Sequence, residues 1–195
     1  MTTFEGDLII YAAMALLVMI SLGAAALQKN KRDALLAAQA EKRGGTFAKR
    51  GLFRHSEARL PCKGNTLIVY CMPGSRNSPA RTIATLHVET MILPAFDILR
   101  NDLTQKIMGA FGRERILLND EEFDRKCIVR SEDPFLAQRI LTSDMQRRFL
   151  DPTLRSLELR VSRQNVQVKM LSIPSNEETF DYFIDTVFVL LQKIV

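Results

Sequence analysis

From Leu8 to Leu27 the chain reads LIIYAAMALLVMISLGAAAL, twenty residues without one charge. As a helix rising about 1.5 Å per residue, that run extends roughly 30 Å, the thickness of a bilayer core. A helix buried in a soluble core would show a polar stripe, and here only Tyr11 and Ser21 are polar. The run predicts a transmembrane helix over residues 8–28, preceded by a short non-cytoplasmic tail, 1–7. The rival is a cleaved signal peptide, for which Ala24-Ala25-Ala26 would serve as the cleavage site. Signal peptides begin with a basic region and carry an apolar stretch of about 7–15 residues. Met1 to Asp7 is acidic and the apolar run is longer, so the span is preferred.

Orientation follows from the flanking cations. The N-terminal flank has none, whereas Lys29, Lys31 and Arg32, then Lys42 and Arg43, follow the span. The positive-inside rule assigns that side to the cytoplasm. The expected topology is single-pass in a bacterial inner membrane, with a periplasmic N-terminus and a cytoplasmic C-terminal domain. Residues 29–45 read as a membrane-proximal basic helix and hinge. Their Ala, Leu, Gln, Glu and Lys are strong helix formers, and Gly44-Gly45 is a stop signal. Near anionic headgroups each cation would gain about 1 kcal/mol, but topology alone accounts for them. Along the span, Ala12, Ala15, Gly23 and Ala26 are small residues of the kind that let helices pack closely in a membrane.

The chain carries 27 Lys and Arg against 22 Asp and Glu, for a net charge of +5. That charge is uneven: −2 over residues 1–28, +5 over 29–50, +4 over 51–115 and −2 over 116–195. An evenly basic nucleic-acid binder looks different. With 47% hydrophobic and 25% charged residues and only 3 Cys, the composition excludes a disordered chain, a collagen-like repeat, a disulfide scaffold and a polytopic transporter.

Residues 46–195 are expected to form one α+β domain with a mostly antiparallel sheet and a C-terminal amphipathic helix. Phe47 to Phe53, Thr66 to Met72 and Arg81 to Met91 read as strands by alternation, with a loop at Pro73–Pro79. Pro94 limits Phe96 to Leu99 to a short edge strand. Leu103, Ile107, Met108 and Phe111 predict a short helix ending near Gly109 or Gly112, and Phe123 to Arg130 predicts a strand. Asp133-Pro134 starts a helix whose buried side is Phe135, Leu136, Ile140 and Leu141. Ser143 with Gln146 forms a capping box for a second short helix through Leu150. Leu157–Ser162 and Val166–Met170 form a hairpin joined by Arg163-Gln164-Asn165, polar on its outer side. Ser175 to Glu178 caps the last helix, which buries Phe180, Phe183, Ile184, Val187, Phe188, Leu191 and Ile194.

No residue pattern specifies chemistry. Cys62, Cys71 and Cys127 are odd in number and form no CxxC; no disulfide is expected in a cytoplasmic domain, and Cys71 and Cys127 read as small core residues on strands. His87 lies mid-strand without an orienting partner, and a general-base role beside Cys71 would need one. Asp120-Glu121-Glu122 with Asp124 lacks the alternation of an EF-hand loop and reads as a solvated turn. Gly74, Gly109 and Gly112 form no phosphate-binding motif. No cofactor, metal, nucleic-acid or small-molecule site is therefore expected.

One segment carries a likeness. Phe123-Asp124-Arg125, Val129, Glu132-Asp133-Pro134, Ala137 and Ile140-Leu141-Thr142 read FDRxxxVxSEDPxxAxxILT. This resembles a recurring arrangement, over about residues 110–195, in uncharacterised bacterial proteins with one N-terminal span and a cytoplasmic α+β domain. The resemblance implies a bacterial source, that fold and that topology, and it supplies no catalytic residues. The expected function is a non-enzymatic accessory or structural subunit of a larger membrane complex, with a respiratory or photosynthetic assembly as the sharper form. Its partners would be the lipid bilayer and other subunits of that complex. The alternatives are a membrane-anchored enzyme with an unrecognised site and a peripheral domain sensing anionic lipid.

Overall fold

The computed structural model describes residues 3–51, 54–89, 91–101 and 115–195, with backbone alone for 3–10 and 12. The chain forms two compact units, Met1–Ala34 and Leu35–Val195. Helix α1, Thr3–Lys42, begins in the first and ends in the second. It stops where the sequence places the stop: Gly44 adopts φ +64°, and the Gly44 and Gly45 N–H groups donate to Glu41 and Ala40 carbonyls at 3.2 and 2.8 Å. Gly45 is also required by space, because a Cβ there would stand 2.2 Å from the Arg59 carbonyl oxygen.

The second unit is α+β. Its strands are β1 Thr46–Ala48, β2 Glu57–Cys62, β3 Asn65–Met72, β4 Arg81–His87, β5 Leu93–Arg100, β6 Arg115–Ile116, β7 Cys127–Ser131, β8 Glu158–Arg163 and β9 Asn165–Met170. Among the described residues they make one antiparallel sheet in the order β1-β2-β3-β4-β9-β8-β5-β7-β6. The late hairpin β8–β9 thus inserts between an N-terminal meander and the β5–β7–β6 group. Cys62 faces Asn65 across a two-residue turn in which Lys63 and Gly64 are both left-handed, a hairpin geometry matched to strand twist.

Register explains the core. Phe47, Ala58, Val69, Ala84, Val168, Leu159, Ile98, Val129 and Ile116 are successive cross-strand partners through all nine strands. Side chains alternate faces along a strand, so this apolar row lies on one face. The remaining helices are α2 Glu121–Lys126, α3 Pro134–Ile140, α4 Ser143–Leu150 and α5 Glu177–Ile194, with a 3₁₀ turn at Pro152–Leu154. Leu36 and Ala40 of α1, Phe123, Leu136, Ile140, Met145 and Phe149 join the α5 stripe and the strand row in one buried cluster. On α5, Phe180, Phe183, Ile184, Thr186, Val187, Leu190, Leu191 and Ile194 are buried, and Phe188 is half-buried.

Several local expectations need correction. Phe123 does not begin a strand: α2 precedes β7, because Asp120 caps it by accepting from the Phe123 N–H at 3.0 Å, with acids in its first turn and bases in its last. β5 is not an edge strand but lies between β8 and β7, and Pro94 is absorbed where the register shifts between Leu93 and Phe96. The β4 strand ends at His87 rather than Met91. The first strand ends at Ala48, and the sequence reading passed over β2 entirely. Caps shift by one residue: Thr142 precedes α4 without a side-chain cap bond, and Asn176 rather than Ser175 caps α5 by accepting from the Thr179 N–H at 2.9 Å. Phe135 is not buried but 80% exposed. The predicted helix at Leu103–Phe111 lies outside the described residues.

Candidate functional site

There are two separate candidates: the apolar stretch of α1 in the first unit, and, within the second unit, the polar cluster in which the last residues of α1 meet α5. Tyr11, Met14, Leu16, Leu17, Val18, Met19, Ile20, Leu22 and Leu27 are all more than half exposed. The stretch Ala13–Lys42 is long and apolar enough to cross a membrane by length and composition, and none of its most apolar window is buried by the protein. Water solvates such a surface poorly, whereas hydrocarbon accepts a helix because its backbone hydrogen bonds are internal.

The predicted packing residues sit on this helix. Ala15 and Gly23 are exposed and Ala26 is half-exposed, while the Ala12 side chain lies outside the described residues. At about 100° per residue the four positions fall within an arc of roughly 80°. A Cβ built at Gly23 meets nothing within 4 Å, so its surface is open to a neighbour. Of the predicted topology cations, Lys29 pairs with Asp33 at 2.9 Å, Arg32 donates through Nε to the Gln28 carbonyl at 3.2 Å, and Lys31 is exposed.

Lys42 and Arg43 are placed differently. Lys42 Nζ donates to Asp181 at 2.6 Å. Arg43 donates to Asp181 at 2.9 Å, to Asp185 at 2.7 Å, and to the Gln39 side-chain oxygen. Asp181 and Asp185 are one helical turn apart on α5, so one guanidinium spans both carboxylates. Burial pushes the Asp181 carboxyl up, but hydrogen bonds from Lys42, Arg43 and Gln39 outweigh it and hold the group below its ordinary value. These two cations are structural partners of α5, whatever else they contribute to topology.

The other residues singled out from sequence do not converge. His87 is exposed at the end of β4, with Nδ1 2.9 Å from the Asn165 side-chain oxygen. Cys71 pairs in register with Thr82, five residues away along β4 or about 17 Å, so the histidine and thiol form no dyad. Cys62, Cys71 and Cys127 are buried and free, and desolvation pushes the Cys62 and Cys127 thiols up. Among the described residues no group of three or more His, Cys, Asp or Glu side chains gathers to hold a metal.

A second polar cluster escaped the sequence reading. Arg148 Nη1 donates to the buried Thr186 hydroxyl at 3.0 Å, and the guanidinium Cζ lies 5.4 Å from the Tyr182 ring centroid. Burial and the adjacent Asp151 push the Tyr182 hydroxyl up, so this group holds its proton and serves as a donor. Its members come from α4, the following turn and α5, a juxtaposition that no local spacing announces.

The nine-strand antiparallel sheet with helices on its apolar face matches a solved structure. The chain shares its fold with a transport factor. It is similar to the crystal structure of the mycobacterial trehalose monomycolate transport factor A, TtfA, with a TM-score of 0.51 and 13% identity. The match covers 83% of this chain and 93% of that one. At that identity the likeness is one of fold. No family model and no curated protein matches the chain.

Proposed function

We propose that this is a membrane-tethered, non-enzymatic accessory protein of bacterial origin that binds other membrane proteins and stabilises their assembly. The observation that carries the reading is the exposed apolar surface of α1 with its open small-residue side at Ala15, Gly23 and Ala26. A tether alone needs only hydrophobic length, whereas close helix packing needs small side chains. A domain built on the fold of a transport factor is consistent with a role beside other membrane components. The reading stays with the bacterial inner membrane and a cytoplasmic domain, on the distribution of Lys29, Lys31 and Arg32. A respiratory or photosynthetic complex gains no support from the fold.

The test is deletion and native electrophoresis. Loss of the protein should lower the yield or thermal stability of a membrane complex while its intrinsic turnover is unchanged. Ala15→Leu with Gly23→Leu should detach the protein from that complex yet leave it in the membrane. Migration of the gently extracted protein by itself, with no complex altered by deletion, overturns the proposal.

A further inference from the structure

Arg81 opens β4 with half of one hydrogen-bonding edge unused. Its Nη2 donates to the Ser78 hydroxyl at 2.6 Å. Its Nε is buried and has no hydrogen-bond partner among the described residues. Nε and Nη2 lie on the same edge of a guanidinium, an edge that can meet two oxygens of one anion in a bidentate pair. The serine hydroxyl fills one of those two places and brings no charge.

The turn holds Ser78 there. Between β3 and β4, Ser75 and Ser78 exchange N–H···O=C bonds of 2.7 and 3.3 Å around Arg76 and Asn77. Gly74 lets the two limbs of the loop close, since a Cβ there would stand 3.0 Å from the Ala80 nitrogen and 3.3 Å from the Ser78 carbonyl oxygen. Ser75, Arg76, Asn77 and Pro79 are exposed and Ser78 is half-buried, so the tip is accessible to another protein.

The surrounding charges leave the empty place unfilled. No acidic residue occurs between Glu57 and Glu89, so the β3–β4 hairpin carries cations alone. Arg81 lies opposite Met72 on β3, and β9 on its other side has no acid. The next row on the same face runs Glu57, Tyr70, Ile83, Lys169, Glu158. Its two acids are engaged: Arg50 and Arg59 hold Glu57 at 3.0 and 2.7 Å, and Lys169 holds Glu158 at 2.6 Å. Glu177 and Glu178 are exposed in the first turn of α5, where the helix end favours them.

We propose that Ser78 is a phosphorylation site and that Arg81 receives the phosphate on its Nε and Nη2 edge. A serine/threonine protein kinase transfers the terminal phosphoryl group of a nucleoside triphosphate. The bond from Ser78 Oγ to phosphorus forms, the bond to the nucleoside diphosphate breaks, and the hydroxyl proton passes to the kinase's base. The product carries about −1.5 to −2 charges and three acceptor oxygens, enough to keep the Nη2 contact and take Nε as well. The cationic charge that Arg76 and Arg81 give the tip is thereby cancelled. This inference stands apart from the accessory-protein reading, because it needs neither a partner complex nor a membrane.

The full-length chain in maltoside micelles is made with phosphoserine installed at Ser78 or, as a control on an exposed hydroxyl of the same turn, at Ser75. The phosphorus NMR signal of each is titrated. A free phosphoserine loses its second proton near pH 6. The phosphate on Ser78 should do so at least about half a pH unit lower, because the adjacent guanidinium favours the dianion, and the phosphate on Ser75 should stay near the free value. Arg81→Gln should bring the two together, and Arg81→Lys, which keeps the charge but loses the fork, should retain only part of the difference. Coincident titration of the two phosphates with Arg81 in place overturns the proposal, and so does a difference that survives Arg81→Gln. Full retention with lysine overturns the bidentate contact. Phosphopeptide mapping of the protein purified from the cells that make it reads the modification itself. Phosphate on Ser78 is expected there; its absence, or phosphate on Ser75 alone, overturns the site.

Discussion

Lys42 and Arg43 show how one side chain answers to two demands. Counted along the chain they are cations that follow a long apolar stretch, and on the proposed topology they would add to the positive-inside pattern. In the fold they close on Asp181 and Asp185, some 138 to 142 residues away in sequence. The Asp181 carboxyl is partly buried, and its hydrogen bonds to cations are of the stronger, charge-assisted kind. Its folded pKa lies below the unfolded value, so on acidification the unfolded chain takes up the proton first. The stabilisation is whole above the ordinary Asp value of about 4 and is lost as pH falls through the lower folded value. Asp181→Asn should therefore cost about 1–3 kcal/mol at neutral pH and much less at pH near 3. Urea unfolding of the detergent-solubilised chain at both pH values measures this. Arg43→Met combined with Asp181→Asn should lose less than the sum of the single variants. Strict additivity would mean that the contact contributes nothing.

At the scale of elements, the α5 stripe is the clearest test of the core. Phe183 and Val187 are buried on one side of α5, within the cluster that holds the strand row. Phe183→Ala should cost about 3–5 kcal/mol as a cavity opens. Phe183→Asp should prevent folding, because a buried charge would lack a partner. A midpoint within a degree or two of the natural protein's would remove the stripe from the core. This helix was readable because eighteen residues repeat one period, and the β8–β9 hairpin was readable because its alternation is strict. Shorter elements were hidden by competing signals. In β2, Ala58, Leu60 and Cys62 alternate inward, but Arg59 and Pro61 mask the pattern. Pro61 is tolerated because β1 pairs only as far as Arg59, leaving the outer edge of β2 open beyond it. In α2 the capping Asp120 and its flanking charges outweigh a hydrophobic alternation that continues into β7. Phe135 departs from its expected burial for a different reason: helical spacing says which residues share a face, and in a helix of seven residues it does not say where that face ends.

For the whole molecule, the division at Ala34 and Leu35 sharpens what can set orientation. Cations bias topology when they lie near the end of a span and stay available during insertion. Lys42 and Arg43 belong to the folded unit and have carboxylate partners there. On the proposed topology the burden of orientation falls on Lys29, Lys31 and Arg32 against an N-terminal flank holding Glu5 and Asp7. Even among these three, Lys29 has Asp33 beside it, which leaves Lys31 and Arg32 as the strongest determinants. A reporter that works only in the cytoplasm, fused after Val195, should be active on the natural chain. Lys31→Gln and Arg32→Gln together should leave that orientation weakened but dominant, since the opposite flank still offers no cation. Adding Glu5→Lys and Asp7→Lys reverses the difference between the flanks and should move a large share of the C-terminal reporter to the far side. Mutating Lys42 and Arg43 to Gln, by contrast, should lower thermal stability while leaving the reporter in place. If that last pair alone inverts the protein, orientation is set by cations that remain free of Asp181 and Asp185 while the chain inserts, and Lys31 and Arg32 are not its main determinants.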